Sequence, residues 1–349
     1  MKVWLFSTHR AQETDLVRMW LREGINVQGV FDCYSRQRPP VKGVTDPESI
    51  PGKRAVVAGG YRKWSGAVES TAEWSDLVEL DRELKTESRH FKDVDWYVLM
   101  ETVDRSQRIN HYASMGMRVA MQCFGQETDD ADQELVPALL KWPNAHLVCY
   151  SPQVADRYIG KKVPRDQVHV IRFGIYPEEW QPAGAWIGDL KLALTAHNSI
   201  QYRGEGCGWA EYKGISAGLP FVLIGKDTEQ VGGMGEQNFR ALKWWYARAS
   251  CYLSMGTKPA PYTMTPVEAM MSGCPIIMWD NGCGIREEQW AEGLFVTGDI
   301  QDVRNYVALI LDEKVDVMAL SRKSRQVAMD YFNAHTIGKQ WLVFFTKYR

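Results

Sequence analysis

Residues 260–270 hold the side-chain types and spacing in this chain best suited to chemistry: Ala260-Pro261-Tyr262-Thr263-Met264-Thr265-Pro266-Val267-Glu268-Ala269-Met270. A loop runs into a helix at Thr265, Gly273 closes the helix, and Pro275-Ile276-Ile277 opens a strand. Backbone amides at a helix start are unpaired and carry partial positive charge, so they suit an anion such as a diphosphate. Glu268 lies one turn in, where a carboxylate can accept hydrogen bonds from two neighbouring hydroxyls, as a ribose offers. The same residues also spell a capping box, with Thr265 as N-cap, Pro266 at the first helical position and Glu268 at the third. From the residues alone both readings stand.

The elements that must position this segment follow an alternating rhythm. Short apolar runs at 3–6, 27–31, 55–58, 96–100, 118–122, 146–150 and 169–172 read as strands, with amphipathic stretches such as 13–22 and 69–84 between them. That rhythm predicts a mainly parallel sheet covered on both faces. Pro177, Pro182, Gly184 and Gly188 mark a linker. The rhythm then restarts, with strands at 190–195, 221–224, 251–254, 275–279 and 294–296 and helices at 239–248, 266–272, 301–311 and 317–332. The predicted division is a first domain over 1–176, a linker over 177–188, a second domain over 189–333 and a final helix over 334–349. A length of 349 residues fits two such cores rather than one. Ligands bind at the carboxyl ends of strands in doubly wound sheets, so the expected site is a cleft between the two domains.

Residues 260–277 resemble the donor-binding signature of retaining glycosyltransferases of the GT-B fold, family 4 above all, which reads about E-P-F-G-L-x-x-L-E-A-M-x-x-G-x-P-V-V. Pro261, Tyr262, Met264, Val267, Glu268, Ala269, Met270, Gly273, Pro275, Ile276 and Ile277 match it identically or conservatively. The resemblance implies that Glu268 holds a nucleotide ribose and that Thr263, Met264 and Thr265 line the donor phosphates and sugar. It departs at Ala260, where the family has a glutamate beside the donor sugar, and at Thr263, where it has glycine. Val170-Ile171-Arg172-Phe173-Gly174-Ile175-Tyr176 is similar to the family's V-I-P-N-G-V-D, and Tyr331-Phe332 to its late aromatic pair. The resemblance also implies that the C-terminal helix crosses back to the first domain. A cation is expected on the diphosphate, since negative charge develops on the departing nucleotide. Arg203-Gly204 leaves room for a following helix before residue 224 and is the first candidate, with Lys213 in reserve. Val231-Gly232-Gly233-Met234-Gly235 reads as a mobile loop rather than a dinucleotide fingerprint.

On the acceptor side the family's strand-end histidine falls at Phe124, so that role does not carry over. Gln126 and Glu127 follow it, Glu101 ends another strand, and His9 sits in the first strand-to-helix loop. Glu127 and Glu101 are the carboxylates offered for catalysis beside Arg203. Residues 36–63 carry seven cations against two acids, and Tyr61, Arg62 and Trp64 interleave charge with aromatic rings. Such a region suits a polyanionic or base-stacking acceptor. Each of these loop residues would also serve as a cap or a solvated side chain.

A formal net charge of −2 argues against a whole-molecule binder of nucleic acid or membranes. No apolar run of about 18 residues predicts a membrane span. Seven scattered cysteines without a C-x-x-C pair point to a reducing, cytoplasmic setting and no zinc site. The resemblance therefore implies a metal-independent, cofactor-free hexosyl- or pentosyltransferase of the GT-B fold. It would use a UDP-, GDP- or ADP-linked sugar and act on a glycan, lipid-linked, small-molecule or nucleic-acid hydroxyl. A glycosyltransferase for hydroxymethylated DNA bases, a nucleotide-sugar epimerase or phosphorylase-like enzyme, and a non-catalytic nucleotide-sugar-binding subunit are the alternatives.

Overall fold

The computed structural model describes residues 1–7, 10–32, 61–62, 94–100, 105–123, 129–180 and 186–349. The chain divides into two compact units. The first comprises 1–150, 154–171 and 337–349; the second comprises 151–153 and 172–336.

In the first unit the elements are β1 Lys2–Ser7, α1 Arg10–Arg22, β2 Asn26–Asp32, β3 Tyr61–Arg62, β4 Trp96–Met100, α2 Arg105–Ser114, β5 Arg118–Cys123, α3 Asp129–Lys141, β6 Ala145–Cys149, α4 Pro152–Gly160 and β7 Val168–Val170. They form one sheet in the order β3-β2-β1-β4-β5-β6-β7, parallel except for β3, which pairs antiparallel with β2. β4 and β6 are buried along their whole length, as strands covered on both faces must be. The predicted strand at 55–58 and helix at 69–84 lie outside the described residues.

The second unit contains α5 Pro177–Trp180, β8 Leu190–Ala196, α6 Ile200–Arg203, α7 Trp209–Ser216, β9 Phe221–Ile224, α8 Phe239–Arg248, β10 Ala249–Ser254, α9 Met264–Met271, β11 Ile276–Trp279, β12 Phe295–Thr297, α10 Ile300–Leu311 and α11 Val317–Tyr331. Its five strands are all parallel, in the order β12-β11-β10-β8-β9. Alternation along β10 sends Cys251 and Leu253 to one face, against Tyr212 and Ile215 of α7 and Val303, Val307 and Ile310 of α10. The 303, 307, 310 spacing is the apolar stripe of an amphipathic helix. Tyr252 points to the opposite face, toward Tyr246 of α8. The glycine-rich stretch expected to be a mobile loop is fastened: Thr228 Oγ1 accepts the Gly235 amide at 3.0 Å and Met234 donates to Leu223 O at 2.8 Å.

A last helix, α12 Ala334–Lys347, belongs to the first unit from Ile337 onward. Trp341 and Phe345 pack edge-on against Trp20 of α1 at 5.3 and 5.4 Å, and Trp96 Nε1 donates to Phe345 O at 3.2 Å. Beneath this helix, His146 and His169 place ring nitrogens 3.1 Å apart and both meet Phe344 and Tyr348. Burial, more than any neighbouring charge, lowers both imidazoles from 6.5 to about 4. A depressed folded-state value means that the neutral rings stabilise the fold above about 6.5, and that this contribution is lost as pH falls through about 4. The urea midpoint of the chain should therefore fall across that window. It should fall less in His169→Gln; an equal fall in parent and variant would rule the pair out as the cause.

Candidate functional site

In an open parallel sheet the ligand crevice lies outside the carboxyl ends of the strands, where the strand order reverses. In the second unit that point falls between β8 and β10. Two loops meet there, 197–199 after β8 and 255–263 after β10.

The loops are fastened to each other. His197 Nε2 lies 3.2 Å from Gly256 O and 3.3 Å from Thr257 Oγ1, and Nδ1 lies 3.1 Å from Asn198 O. Burial pulls this imidazole below its ordinary value, the two carbonyls pull it back up, and the charge of Arg203 adds to burial. Lys258 donates its amide to Gly206 O at 2.7 Å, which ties the second loop to the segment after α6. Gly225, at φ +132°, lets the end of β9 pass the His197 carbonyl; a Cβ there would lie 2.3 Å from that oxygen.

Ala260 is fully buried, donates its amide to Thr257 O at 2.8 Å and accepts Asn281 Nδ2 at 3.2 Å. Its backbone is thereby held from both sides. Tyr262 is also buried, between Trp290 and Phe332, with Phe173 beyond.

The helix start differs from the capping-box reading. α9 begins at Met264, and its N-cap is Thr263 in extended conformation, whose side chain makes no capping bond. Thr263 Oγ1 instead meets Thr265 Oγ1 at 3.3 Å. Glu268 is then the fifth helical residue rather than the third, too deep to reach back to the N-cap. The first-turn amides of Met264 and Thr265 thus remain free of a side-chain cap, the arrangement an anion can use.

Glu268 is largely buried, with 9% of its surface accessible. Tyr246 and Tyr252 stand beside it with rings 5.5 Å apart. Burial chiefly, and then the neighbouring Tyr252 and Glu268, hold the Tyr246 phenol well above its usual value, so it stays protonated. Tyr252 donates to Ala196 O at 3.2 Å and also meets the Thr265 side chain. This joins the end of β8 to the first turn of α9.

Arg203 is the last residue of α6 and is exposed. Among the described residues it forms no ion pair, yet its charge reaches both His197 and Cys207. Arg203 thus lies by the 197–199 and 255–263 loops. The helix expected after Arg203-Gly204 is α7, and Lys213 lies inside that helix, in its last turn, 5.4 Å over the Trp209 ring.

A buried ion pair backs the site. Arg172 Nη2 lies 3.1 Å from Glu288 Oε2, whose side chain is wholly buried. Burial raises the Glu288 carboxyl while Arg172 pulls it down. The same guanidinium hydrogen-bonds the Tyr262 hydroxyl, two residues before Met264. Ile175 next along the chain donates to Phe332 O at 2.8 Å and accepts from Ala334 N at 3.0 Å.

Of the residues expected on the acceptor side, His9, Trp64, Glu101, Gln126 and Glu127 lie outside the described residues. Tyr61 and Arg62 form β3, opposite Phe31 and Val30. His197, Thr257, Tyr252, Asn281 and the Arg172–Glu288 pair escaped the sequence reading. For His197 a signal existed, since it lies two residues past the predicted strand 190–195, at a carboxyl end. Among the described residues no cluster of three or more His, Cys, Asp or Glu is placed to hold a metal ion. No helix among them is long and apolar enough to cross a membrane. A cavity of about 360 Å³ among Trp186, Lys191, Ser250, Glu313 and Val317 lies toward the amino ends of β8 and β10, the wrong edge for a ligand of this sheet.

No protein-family model matches this sequence, and no curated protein matches it either. Its structure, by contrast, is similar to solved ones over almost the whole chain. HepE of Anabaena in complex with UDP superposes with a TM-score of 0.65 at 11% identity, covering 99% of this chain and 100% of that one. HepE has also been solved with UDP-glucose. A glycosyltransferase from Rickettsia africae superposes with a TM-score of 0.67 at 10% identity, covering 99% of this chain and 98% of that one. Sucrose-phosphate synthase from Thermosynechococcus elongatus gives 0.67 at 13% identity, with 99% and 98% covered. Two doubly wound parallel-sheet units, a C-terminal helix returning to the first of them, and these neighbours together show that the chain has the GT-B fold.

Proposed function

We propose that the chain is a glycosyltransferase that moves a sugar from a nucleoside diphosphate sugar to an acceptor hydroxyl. The observation that carries this reading is the start of α9, where uncapped amides and Glu268 stand at the reversal point of the second sheet. The diphosphate sits on the amides of 264–265 and on Arg203. The ribose hydroxyls donate to Glu268, and Tyr246 and Tyr252 buttress that carboxylate from the core. As the bond from the anomeric carbon to the diphosphate breaks, negative charge grows on the leaving oxygen, and Arg203 and the helix start stabilise it without a metal. Retention at the anomeric carbon and a hexosyl or pentosyl group follow from the resemblance of residues 260–277 to family 4. UDP is the favoured nucleotide, because HepE binds it; GDP and ADP are the alternatives. The acceptor is a glycan, lipid-linked or small-molecule hydroxyl, and the setting is cytoplasmic.

A second reading, a nucleotide-sugar-binding subunit without turnover, is favoured by Ala260, which puts a methyl group where the resemblance expects a carboxylate. Turnover with UDP-, GDP- and ADP-linked sugars separates the two. Slow hydrolysis or transfer of one donor supports the enzyme; binding without either establishes the subunit. Glu268→Gln should weaken nucleotide binding about 10–100-fold, the worth of hydrogen bonds to a charged group. A 2′,3′-dideoxy nucleotide should lose a similar factor with the parent protein. If Glu268→Gln binds as tightly as the parent and only melts earlier, the carboxylate is structural and the ribose role is wrong.

A further inference from the structure

We propose that His197 is a donor-binding residue that takes up one proton from solvent when a nucleoside diphosphate binds. The inference rests on the donor reading above. Its ground is the geometry of the ring, whose two nitrogens each face a backbone carbonyl, Asn198 O at 3.1 Å and Gly256 O at 3.2 Å. A neutral imidazole has a single N–H: given from Nδ1 to Asn198 O, it leaves Nε2 to accept the Thr257 hydroxyl at 3.3 Å, and the Gly256 carbonyl receives no proton from the ring. The imidazolium donates to both.

The position fits a diphosphate contact. Ala196, the preceding residue, accepts the Tyr252 hydroxyl at 3.2 Å, and Tyr252 meets Thr265 in the first turn of α9. His197 therefore follows a residue tied to that turn, and the charge of Arg203 reaches its ring. The neighbouring loops carry several charged groups. Arg203 ends α6, and Glu205 pairs with Lys258 at 3.7 Å. Lys226 donates its amide to Asn198 Oδ1, Asp227 accepts Ser199 Oγ at 2.7 Å, and Asp280 pairs with Arg286 after β11. Of these, only Arg203 acts on the His197 ring appreciably, and it opposes a second positive charge, as burial does. A diphosphate bound to Arg203 cancels that opposition and adds attraction for the imidazolium. The balance is simple: nucleotide plus neutral ring plus one solvent proton gives the complex with the ring charged. In one step the ring comes to donate to both carbonyls, locks the two loops together and presents a second cation to the leaving diphosphate.

Calorimetric titration of the full chain tests this. UDP-glucose, GDP-mannose and ADP-glucose are titrated in turn, because their phosphates carry no proton near neutrality. Each titration is repeated in buffers of different ionisation enthalpy. The donor that binds should show uptake of a sizeable fraction of a proton, and its affinity should rise about 3–10-fold from mildly basic to mildly acidic pH. His197→Gln, which keeps one donor for Gly256 O but cannot titrate, should abolish both effects. Binding with no buffer dependence overturns the proposal and leaves the donor reading intact, as does uptake that persists in His197→Gln. If none of the three binds, the donor reading fails and this inference with it. The parent chain alone decides the matter should the variant not fold.

Discussion

On the proposed role, replacing Arg203 by alanine should lower kcat about 10²–10³-fold, the usual cost of removing one preorganised group from a developing negative charge. The effect is on turnover rather than on folding. Arg203 is exposed and unpaired among the described residues, so the unfolding midpoint stays where it was. Its charge already acts on His197 and Cys207, which places it over the loops that follow β8 and α6. Arg203→Lys should recover only part of the loss, because an ammonium offers a point charge where a guanidinium offers a fork. Lys213→Ala serves as the contrast. That side chain lies over Trp209 in the last turn of α7, and its removal should leave kcat within about twofold. Should Lys213→Ala cripple the enzyme and Arg203→Ala spare it, the two assignments are reversed.

The largest expected effect on stability is at Glu288. Its side chain is wholly buried against Arg172, and alanine there strands a guanidinium in the core, at a cost of about 3–5 kcal/mol. Arg172 also holds the Tyr262 hydroxyl, so the damage reaches the loop that leads into α9. Replacing both partners by methionine should restore much of the stability, because two apolar chains of similar volume need no partner. Urea unfolding of the single and double variants measures this. A loss below about 1 kcal/mol for Glu288→Ala would mean that water reaches Arg172 and the pair holds nothing. If the double variant folds well but binds nucleotide poorly, the pair serves to position Tyr262 and its loop more than to hold the core.

Particular residues show how much of this could be read in advance. Strands such as 96–100 and 146–150 were legible because a strand buried on both faces is a continuous apolar run. The last helix was legible from Trp341, Phe344 and Phe345, whose spacing makes one apolar face. Its return to the first unit came from resemblance, since no local pattern says which core a helix will cover. The place of Glu268 in its helix was misread from the sequence. Thr265-Pro266 looks like an N-cap and first residue, yet Thr263 is the extended one and the helix takes in both. The Arg172–Glu288 pair joins positions 116 apart in the chain, and nothing local to either announces the other. His197 carries no motif at all. Its interest comes from two carbonyls that only the folded loops bring to its ring.

The central claim is that the start of α9 and the end of β8 hold a nucleoside diphosphate. Thermal denaturation of the full chain with UDP, GDP and ADP, each beside its parent nucleoside, tests it most directly. One of the three diphosphates, at about 100 times its dissociation constant, should stabilise the fold by about 2.7 kcal/mol, while the nucleoside at equal concentration adds far less. If no diphosphate raises the melting temperature, or if diphosphate and nucleoside raise it equally, the site does not recognise a diphosphate and the account is wrong.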